Sequence, residues 1–323
     1  MNRDVKREDA PARCEVLVHG GGPVGLACAL WLARRWHAPS AITVLSDAEP
    51  SAAAATRALA LSEGTRQLLA RVIGFPARHG RIDSIEVSLA GEPGKVLLDA
   101  NDQRVAALGY VVRYGELWHA LRAAVDASGV VLAAREANAA DAWVTVHAEG
   151  DPGERARARD FDQCALVTDV AAARPIAGRA FERFTREGPL ALLPLPEPDR
   201  YSVVWCAPQP MAQARTGLDD AGFAAQLHAA FGTRLGALQR IGHCAVVPLA
   251  RRSRRRTVRG NEVWIGNAAQ TLHPVAGQGL NLGMRDAFEL AECLAIARST
   301  GAASPADALA AFSRARARDR DLT

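Results

Sequence analysis

The chain has 323 residues, 49% of them hydrophobic and 23% charged, with a formal net charge of +4, enough for one large or two ordinary domains with a real core. Its six cysteines, at 14, 28, 164, 206, 244 and 293, form no C-x-x-C pair and no zinc spacing with histidine, and no aromatic residues interleave the basic run 251–256, so zinc and nucleic-acid functions have little support. No apolar run reaches membrane-spanning length and the polar start lacks a signal-peptide core, which points to a cytoplasmic protein and leaves peripheral contact with the inner membrane open.

In chain order, Glu15-Val16-Leu17-Val18-His19 reads as a buried strand, followed by Gly20-Gly21-Gly22-Pro23-Val24-Gly25 and an apolar helix, Leu26 to Trp36. Ala41 to Leu45 is a second strand. This is a βαβ unit carrying G-x-G-x-x-G at Gly20, Gly22 and Gly25. In such a unit the first glycine makes the tight turn, the second lets backbone approach a pyrophosphate, and the third lets helix and strand pack closely. Asp47, just past the second strand, suits an adenosine-ribose ligand or a turn.

Further on, Thr56 to Ser62 is expected to open a helix, Glu63 to Val72, and Ile82 to Leu89 alternates as a strand with one irregular step. Gly109 to Tyr114 leads into a helix, Gly115 to Ala127. Val130-Val131-Leu132 and Trp143-Val144-Thr145-Val146 read as strands of a small sheet, followed by an arginine-rich stretch, Glu149 to Asp160. From Cys164 to Leu249 the pattern is mostly β, with one helix from Asp219 to Phe231. The run Arg251-Arg252-Ser253-Arg254-Arg255-Arg256 is a solvated loop or a docking patch for an anion.

The strand Glu262 to Ile265 then ends in Gly266-Asn267-Ala268-Ala269. Pro274 fixes a turn, Gly277-Gln278-Gly279 allows close backbone approach, and a helix follows, best marked from Met284 to Arg298. Its free N–H groups suit an electron-rich ring or an anion.

With both glycine segments in hand, the chain resembles the single-component FAD-dependent aromatic hydroxylases, and within them the branch acting on polyprenyl phenols in ubiquinone biosynthesis. The motifs that carry this are Gly266-Asn267-Ala268-Ala269-Gln270-Thr271-Leu272-His273-Pro274, the block Gly178 to Thr185 with Gly188 to Pro194, and Val204-Trp205-Cys206. The resemblance implies an α/β fold: a discontinuous Rossmann-like FAD domain (1–75, 101–160, 251–323) and a mostly antiparallel β-sheet substrate domain (76–100, 161–250).

It also implies FAD as cofactor, NAD(P)H as co-substrate, and attack on a prenylated phenol by a flavin C4a-hydroperoxide made from O2. Gly20, Gly22 and Gly25 would hold the pyrophosphate. Arg57 and Arg113 would contact FAD, or serve as salt-bridge residues. Asn267 would bond the ribityl or phosphate region, its amide both donating and accepting. Pro274, Gly277, Gln278 and Gly279 would lie by the flavin ring, and Asn281 would also bind the cofactor. His273 would contact flavin or substrate, or pack. A prenyl tail would lie near Leu190 to Leu195, unless these leucines are core. The expected partners are the prenylated phenol and O2, with a quinone-biosynthesis complex or peripheral membrane contact left open.

Two departures bear on this. Ala55 stands where the family has an acid two residues before an arginine like Arg57. The family's strand with its Asp-Gly motif is also expected to be missing before Asp160. If residues have been lost there, Cα atoms 159 and 160 should lie well beyond about 3.8 Å. Two rival readings stay open: a same-fold hydroxylase of another small aromatic compound, and a non-catalytic, flavin-poor scaffold.

Overall fold

The computed structural model describes residues 14–46, 49–134, 142–153, 156–272 and 277–321. The strands, in chain order, are β1 Val16–His19, β2 Ile42–Leu45, β3 Ala58–Ser62, β4 Gly80–Ile82, β5 Ser84–Leu89, β6 Lys95–Asp99, β7 Gly109–Arg113, β8 Val131–Ala133 and β9 Val144–His147. They continue with β10 Arg157–Ala172, β11 Arg179–Phe184, β12 Pro189–Pro194, β13 Arg200–Pro208, β14 Leu238–Arg240, β15 Ala245–Ser253, β16 Val258–Arg259, β17 Glu262–Trp264 and β18 Gln270–Thr271. The helices are α1 Pro23–Ala33, α2 Ala52–Ala55, α3 Glu63–Leu69, α4 Tyr114–Asp126, α5 Gln209–Thr216, α6 Asp220–Phe231, α7 Gln278–Ser299 and α8 Ala306–Asp321.

The first sheet runs β16-β17-β9-β1-β2-β8, and β17, β9, β1, β2 and β8 are mutually parallel. Such a sheet must be covered to hide its apolar strands. Helices α1, α4 and α7 do this on one face: Val16, Val18, Val144 and Val146 share a core with Leu26, Trp31, Leu121, Met284 and Leu290. Helix α1 is buried along most of its length, so it carries no polar face.

The second sheet runs β18-β15-β10-β13-β12-β11-β5-β6, with β14 also on β10. One face packs on α6 through Phe181, Leu190, Leu192, Val203 and Trp205 against Phe223, Leu227 and Phe231. Strands β3, β7 and β4 form a third, small antiparallel sheet. The α/β class with a largely antiparallel second sheet is as expected from sequence.

Several local expectations are corrected. Residues 58–62 form a strand, because each pairs antiparallel with β7, from Ala58↔Arg113 to Ser62↔Gly109. Ser62 then caps α3, its hydroxyl accepting from the Thr65 N–H at 3.2 Å. The irregular step near Ile82 is a strand switch: Gly80–Ile82 pairs with β7, whereas Ser84–Leu89 pairs with β11 and β6. Helix α7 begins at Gln278 rather than Met284.

The largest correction concerns β8 and β9. Neither belongs to a separate small sheet. Strand β8 pairs with β2, and β9 lies between β1 and β17. Short apolar runs carry no signal for which sheet they join.

Candidate functional site

The site forms at the carboxyl ends of the parallel strands, where α/β folds bind ligands. Strand β1 ends at His19, and Gly20 turns the chain at φ 112°. A Cβ on Gly20 would lie 2.5 Å from the Ala148 carbonyl oxygen, and one on Gly25 would lie 2.0 Å from the Gly20 oxygen. Both positions therefore require glycine. Gly21 is equally confined, since a Cβ there would lie 1.9 Å from Ser46 Oγ. Gly22 differs: the nearest atom to its would-be Cβ is the Tyr114 hydroxyl at 3.7 Å. The backbone there is open. Gly22 caps α1 without a side-chain bond and Pro23 follows, so the first-turn N–H groups of α1 stay available for an anion.

Helix α4 braces this loop. Trp118 Nε1 donates to the Gly21 carbonyl at 2.8 Å. One turn earlier, the Tyr114 ring lies 5.2 Å beneath the exposed Arg57 guanidinium. Burial pushes the Tyr114 hydroxyl up from its ordinary range. Arg57 and Tyr114 thus stand beside the open glycine. Arg113 is committed elsewhere: it donates to Asp169 Oδ2 and to the Thr56 carbonyl, both at 2.6 Å, tying β7 to the second sheet.

The second glycine segment sits across from the first. Gly266, at φ 56°, donates its N–H to the buried Asp286 carboxylate. A Cβ on Gly283 of α7 would lie 2.9 Å from Val24 Cγ2 and 3.1 Å from Gly266 Cα, so α1, α7 and this turn meet at glycine contacts. Asn267 is exposed and keeps its amide free among the described residues; its Oδ1 is 3.8 Å from the Cβ position of Gly279. Gly277 precedes α7 at φ 58°, against Ala60, and Gln278 is exposed at the first turn.

Asn281 is saturated. Its amide nitrogen donates to the Ala60 and Gly277 carbonyls at 2.9 and 2.8 Å, and its oxygen accepts from the Ser62 N–H at 2.8 Å. It clamps β3 onto the start of α7. Asp47, His273 and Pro274 lie outside the described residues.

Strand β9 lies in the parallel sheet beside β1 and directly precedes β10, the strand that contains Asp160. Its end, Ala148-Glu149-Gly150, lies against the glycine loop, with Ala148 N donating to His19 O at 2.7 Å. An acid–glycine pair, Glu149-Gly150, therefore follows this strand. Burial acts to raise the Glu149 carboxyl, but hydrogen bonds from His147 (3.0 Å) and its own backbone outweigh it and leave it below the usual range. No discontinuity follows: Arg159 and Asp160 pair in succession with Arg251 and Ala250 along β10. Placing β9 in a small sheet hides the acid–glycine pair behind it. The Trp143–Val146 run followed by Glu149-Gly150 was the available signal.

The second sheet turns its other face toward these elements. Val167, Val204, Ala191, Glu182, Val87 and Val96 are consecutive cross-strand partners on it, and Asp169 of the same face reaches Arg113. Most of this row is only half-buried. Leu190 and Leu192 point away from it into the core under α6, so they do not line a groove, whereas Ala191 and Leu193 lie on this face and Leu195 is buried beside Leu193 in a cluster with Ile82, Val111 and Ala180. Within the apolar row Glu182 has no hydrogen-bond partner among the described residues, and burial pushes its carboxyl up.

Two glycine cradles, a free amide and two uncapped helix starts fit a dinucleotide with a ring system. Residues 124–321 match the family described as FAD binding domain. The chain belongs to the FAD-dependent monooxygenases. This monooxygenase is 30% identical to a Rhodospirillum rubrum protein named ubiquinone hydroxylase UbiL, over 92% of this chain and 76% of that one. It is 28% identical to 3-demethoxyubiquinol 3-hydroxylase of Escherichia coli, over 90% and 81%. Among solved structures, PqsL, a probable FAD-dependent monooxygenase from Pseudomonas aeruginosa, superposes with a TM-score of 0.73 at 21% identity, covering 94% and 91% of the two chains. The myxobacterial chondrochloren halogenase CndH gives 0.73 at 18% identity, covering 95% and 79%. No helix of the described residues is long and apolar enough to cross a membrane.

Proposed function

We propose that this monooxygenase hydroxylates the ring of a prenylated phenol in ubiquinone biosynthesis, with NAD(P)H as reductant and O2 as oxygen source. The observation that carries the reading is the open face of the second sheet: an apolar row from Val167 to Val96, interrupted by the single carboxyl of Glu182. A phenol with a hydrocarbon tail has the matching polarity. Relatives over most of the chain that are named ubiquinone hydroxylase and 3-demethoxyubiquinol 3-hydroxylase support the same pathway.

Bound FAD would supply the redox chemistry and the activated oxygen. The chain's own residues hold and orient. Gly20, Gly22 and Gly25 would let the α1 start receive the pyrophosphate, with Arg57 beside it. Asn267 would bond a ribityl hydroxyl, and Gly277, Gln278 and Gly279 would present the α7 start to the ring, where a helix N-terminus favours negative charge. Arg113 and Asn281 act one step back, through Asp169 and β3. Glu182 would hold the phenolic hydroxyl, while the valines on either side exclude water and receive the tail.

The scaffold reading rested on a missing acid–glycine strand, and β9 with Glu149-Gly150 removes that ground. The test is the quinone-intermediate profile of a strain lacking the gene, together with FAD-dependent NAD(P)H oxidation by the purified protein. A demethoxy- or deshydroxy-intermediate should accumulate. An unchanged profile refutes the pathway, and hydroxylation of soluble phenols alone refutes the tailed substrate.

A further inference from the structure

Strand β6 is the outer strand of the second sheet, and among the described residues it pairs only with β5. Its sequence is Lys95-Val96-Leu97-Leu98-Asp99. Val96, Leu97 and Leu98 are 58%, 46% and 43% exposed, so both faces of the strand show apolar side chains to solvent. Bare apolar edges are a liability that proteins usually blunt with charges, proline or bulges along the strand. Here the charges sit only at the two ends, with opposite signs: Lys95, 62% exposed, lies 3.5 Å from Glu86 Oε2 of β5, and Asp99 Oδ1 accepts the Asn101 N–H at 2.9 Å.

The hydrogen-bonding direction of this edge is fixed by its neighbour. Ala100 N donates to Asp83 O at 2.9 Å, so the backbone of Ala100 faces β5. Alternation along the strand turns Leu98 and Val96 inward with it and leaves the N–H and C=O groups of Lys95, Leu97 and Asp99 facing outward.

We propose that this edge pairs with the same edge of a second copy of the chain, antiparallel, about a twofold axis at Leu97. That register is self-complementary. Leu97 meets the second copy's Leu97, Val96 meets Leu98, and Lys95 meets Asp99 on both sides of the axis. Opposite charges directly across an antiparallel pair stabilise it, and like charges oppose it. The outward N–H and C=O groups are those that pair. The apolar row of one copy, ending at Val96, runs on to Leu98 and Ile85 of the other. A five-residue edge is smaller than a standard interface of about 1,600 Å², so the dimer is concentration-dependent rather than obligate.

Analytical ultracentrifugation of the full chain over a concentration series tests this. The parent should show a monomer–dimer equilibrium. Leu97→Pro should sediment as monomer while keeping its circular dichroism and melting temperature, because this N–H faces away from β5 and proline is tolerated at such edge positions. Asp99→Lys should weaken the dimer several-fold, and Lys95→Asp with Asp99→Lys should recover it. Leu97→Cys should form a disulfide-linked dimer on mild oxidation, well above the parent with its own free cysteines. The expected Cα separation of about 5.5 Å across a hydrogen-bonded antiparallel pair lies within the disulfide range. A parent that is monomeric at every concentration, a dimer indifferent to Leu97→Pro, or a Leu97→Cys protein that cross-links no more than the parent would each overturn the proposal.

Discussion

Asp286, in the middle of α7, accepts the backbone N–H of Gly266 at 3.1 Å and receives Arg316 Nε from α8 at 2.7 Å. One buried carboxylate thus fixes the turn that presents Asn267 and is itself neutralised from a neighbouring helix. Removing one member of a buried pair leaves the other uncompensated, at a cost of about 3–5 kcal/mol. Asp286→Ala should therefore lower the melting temperature sharply and weaken FAD binding, because the Gly266 turn loses its anchor. Arg316→Ala should destabilise similarly, with a smaller effect on FAD than Asp286→Ala for equal loss of stability. Thermal melts with FAD fluorescence titrations separate the two.

Gly22 and Gly25 should respond in opposite ways to the same substitution. Gly25→Ala drives a Cβ to 2.0 Å from the Gly20 carbonyl oxygen, so the FAD-free protein itself should be destabilised, by about 1–3 kcal/mol or more. Gly22→Ala meets nothing closer than 3.7 Å. Its FAD-free melting temperature should stay close to that of the parent, while FAD affinity falls because the methyl group occupies the approach to α1. Equal FAD affinity for Gly22→Ala and the parent would remove Gly22 from the proposed cradle.

The sequence reading succeeded where local pattern and chemistry coincide. Gly20 to Gly25 lies between a buried strand and an apolar helix, and the Gly266 segment lies between a strand and α7; neither needs distant context. It failed where partners are distant in sequence. Ala58 to Ser62 has the composition of a helix start, and only pairing with β7 makes it a strand. Val144 to His147 is too short to announce a central parallel strand, so Glu149-Gly150 went unrecognised. Arg113 and Asn281 were legible as polar residues near the site, but not as residues already saturated by Asp169, Thr56, Ala60 and Ser62. Glu182 lay inside a recognised block, yet its isolation on an apolar face depends on the register of four neighbouring strands.

Glu182 should matter more to product formation than to folding. Glu182→Leu would remove the proposed hydrogen bond to the phenolic hydroxyl, worth about 1 kcal/mol or somewhat more. Hydroxylation should drop several-fold, with NAD(P)H oxidation increasingly uncoupled from product, while Glu182→Gln retains most coupling. Burial raises this carboxyl from its ordinary value of 4.5. The folded state therefore holds the proton that the unfolded chain releases. Above about pH 4.5 this costs the parent stability, so Glu182→Gln should gain a melting-temperature advantage that is absent below that pH and grows as pH rises. An advantage of the same size at every pH would contradict the burial of the carboxyl.

Glu63 should show the reverse dependence. Arg66 donates to both of its oxygens, at 2.9 and 2.7 Å, and Gln67 donates at 2.9 Å. These bonds, that from Arg66 foremost, lower the carboxyl to about 2 from 4.5. The folded state stays ionised where the unfolded chain takes up a proton, so the contribution is full above about pH 4.5 and is lost as pH falls toward 2. Glu63 also occupies the first turn of α3, where a negative charge is favoured. Glu63→Gln should therefore melt below the parent at pH 7, and the gap should close steadily on acidification. Because α3 follows the strand that Asn281 clamps to α7, loosening it should also raise the FAD concentration needed for half-saturation at pH 7, and that shift should shrink in parallel with the melting-temperature gap. A gap that persists unchanged to pH 3 would show that the loss comes from packing rather than from the charge.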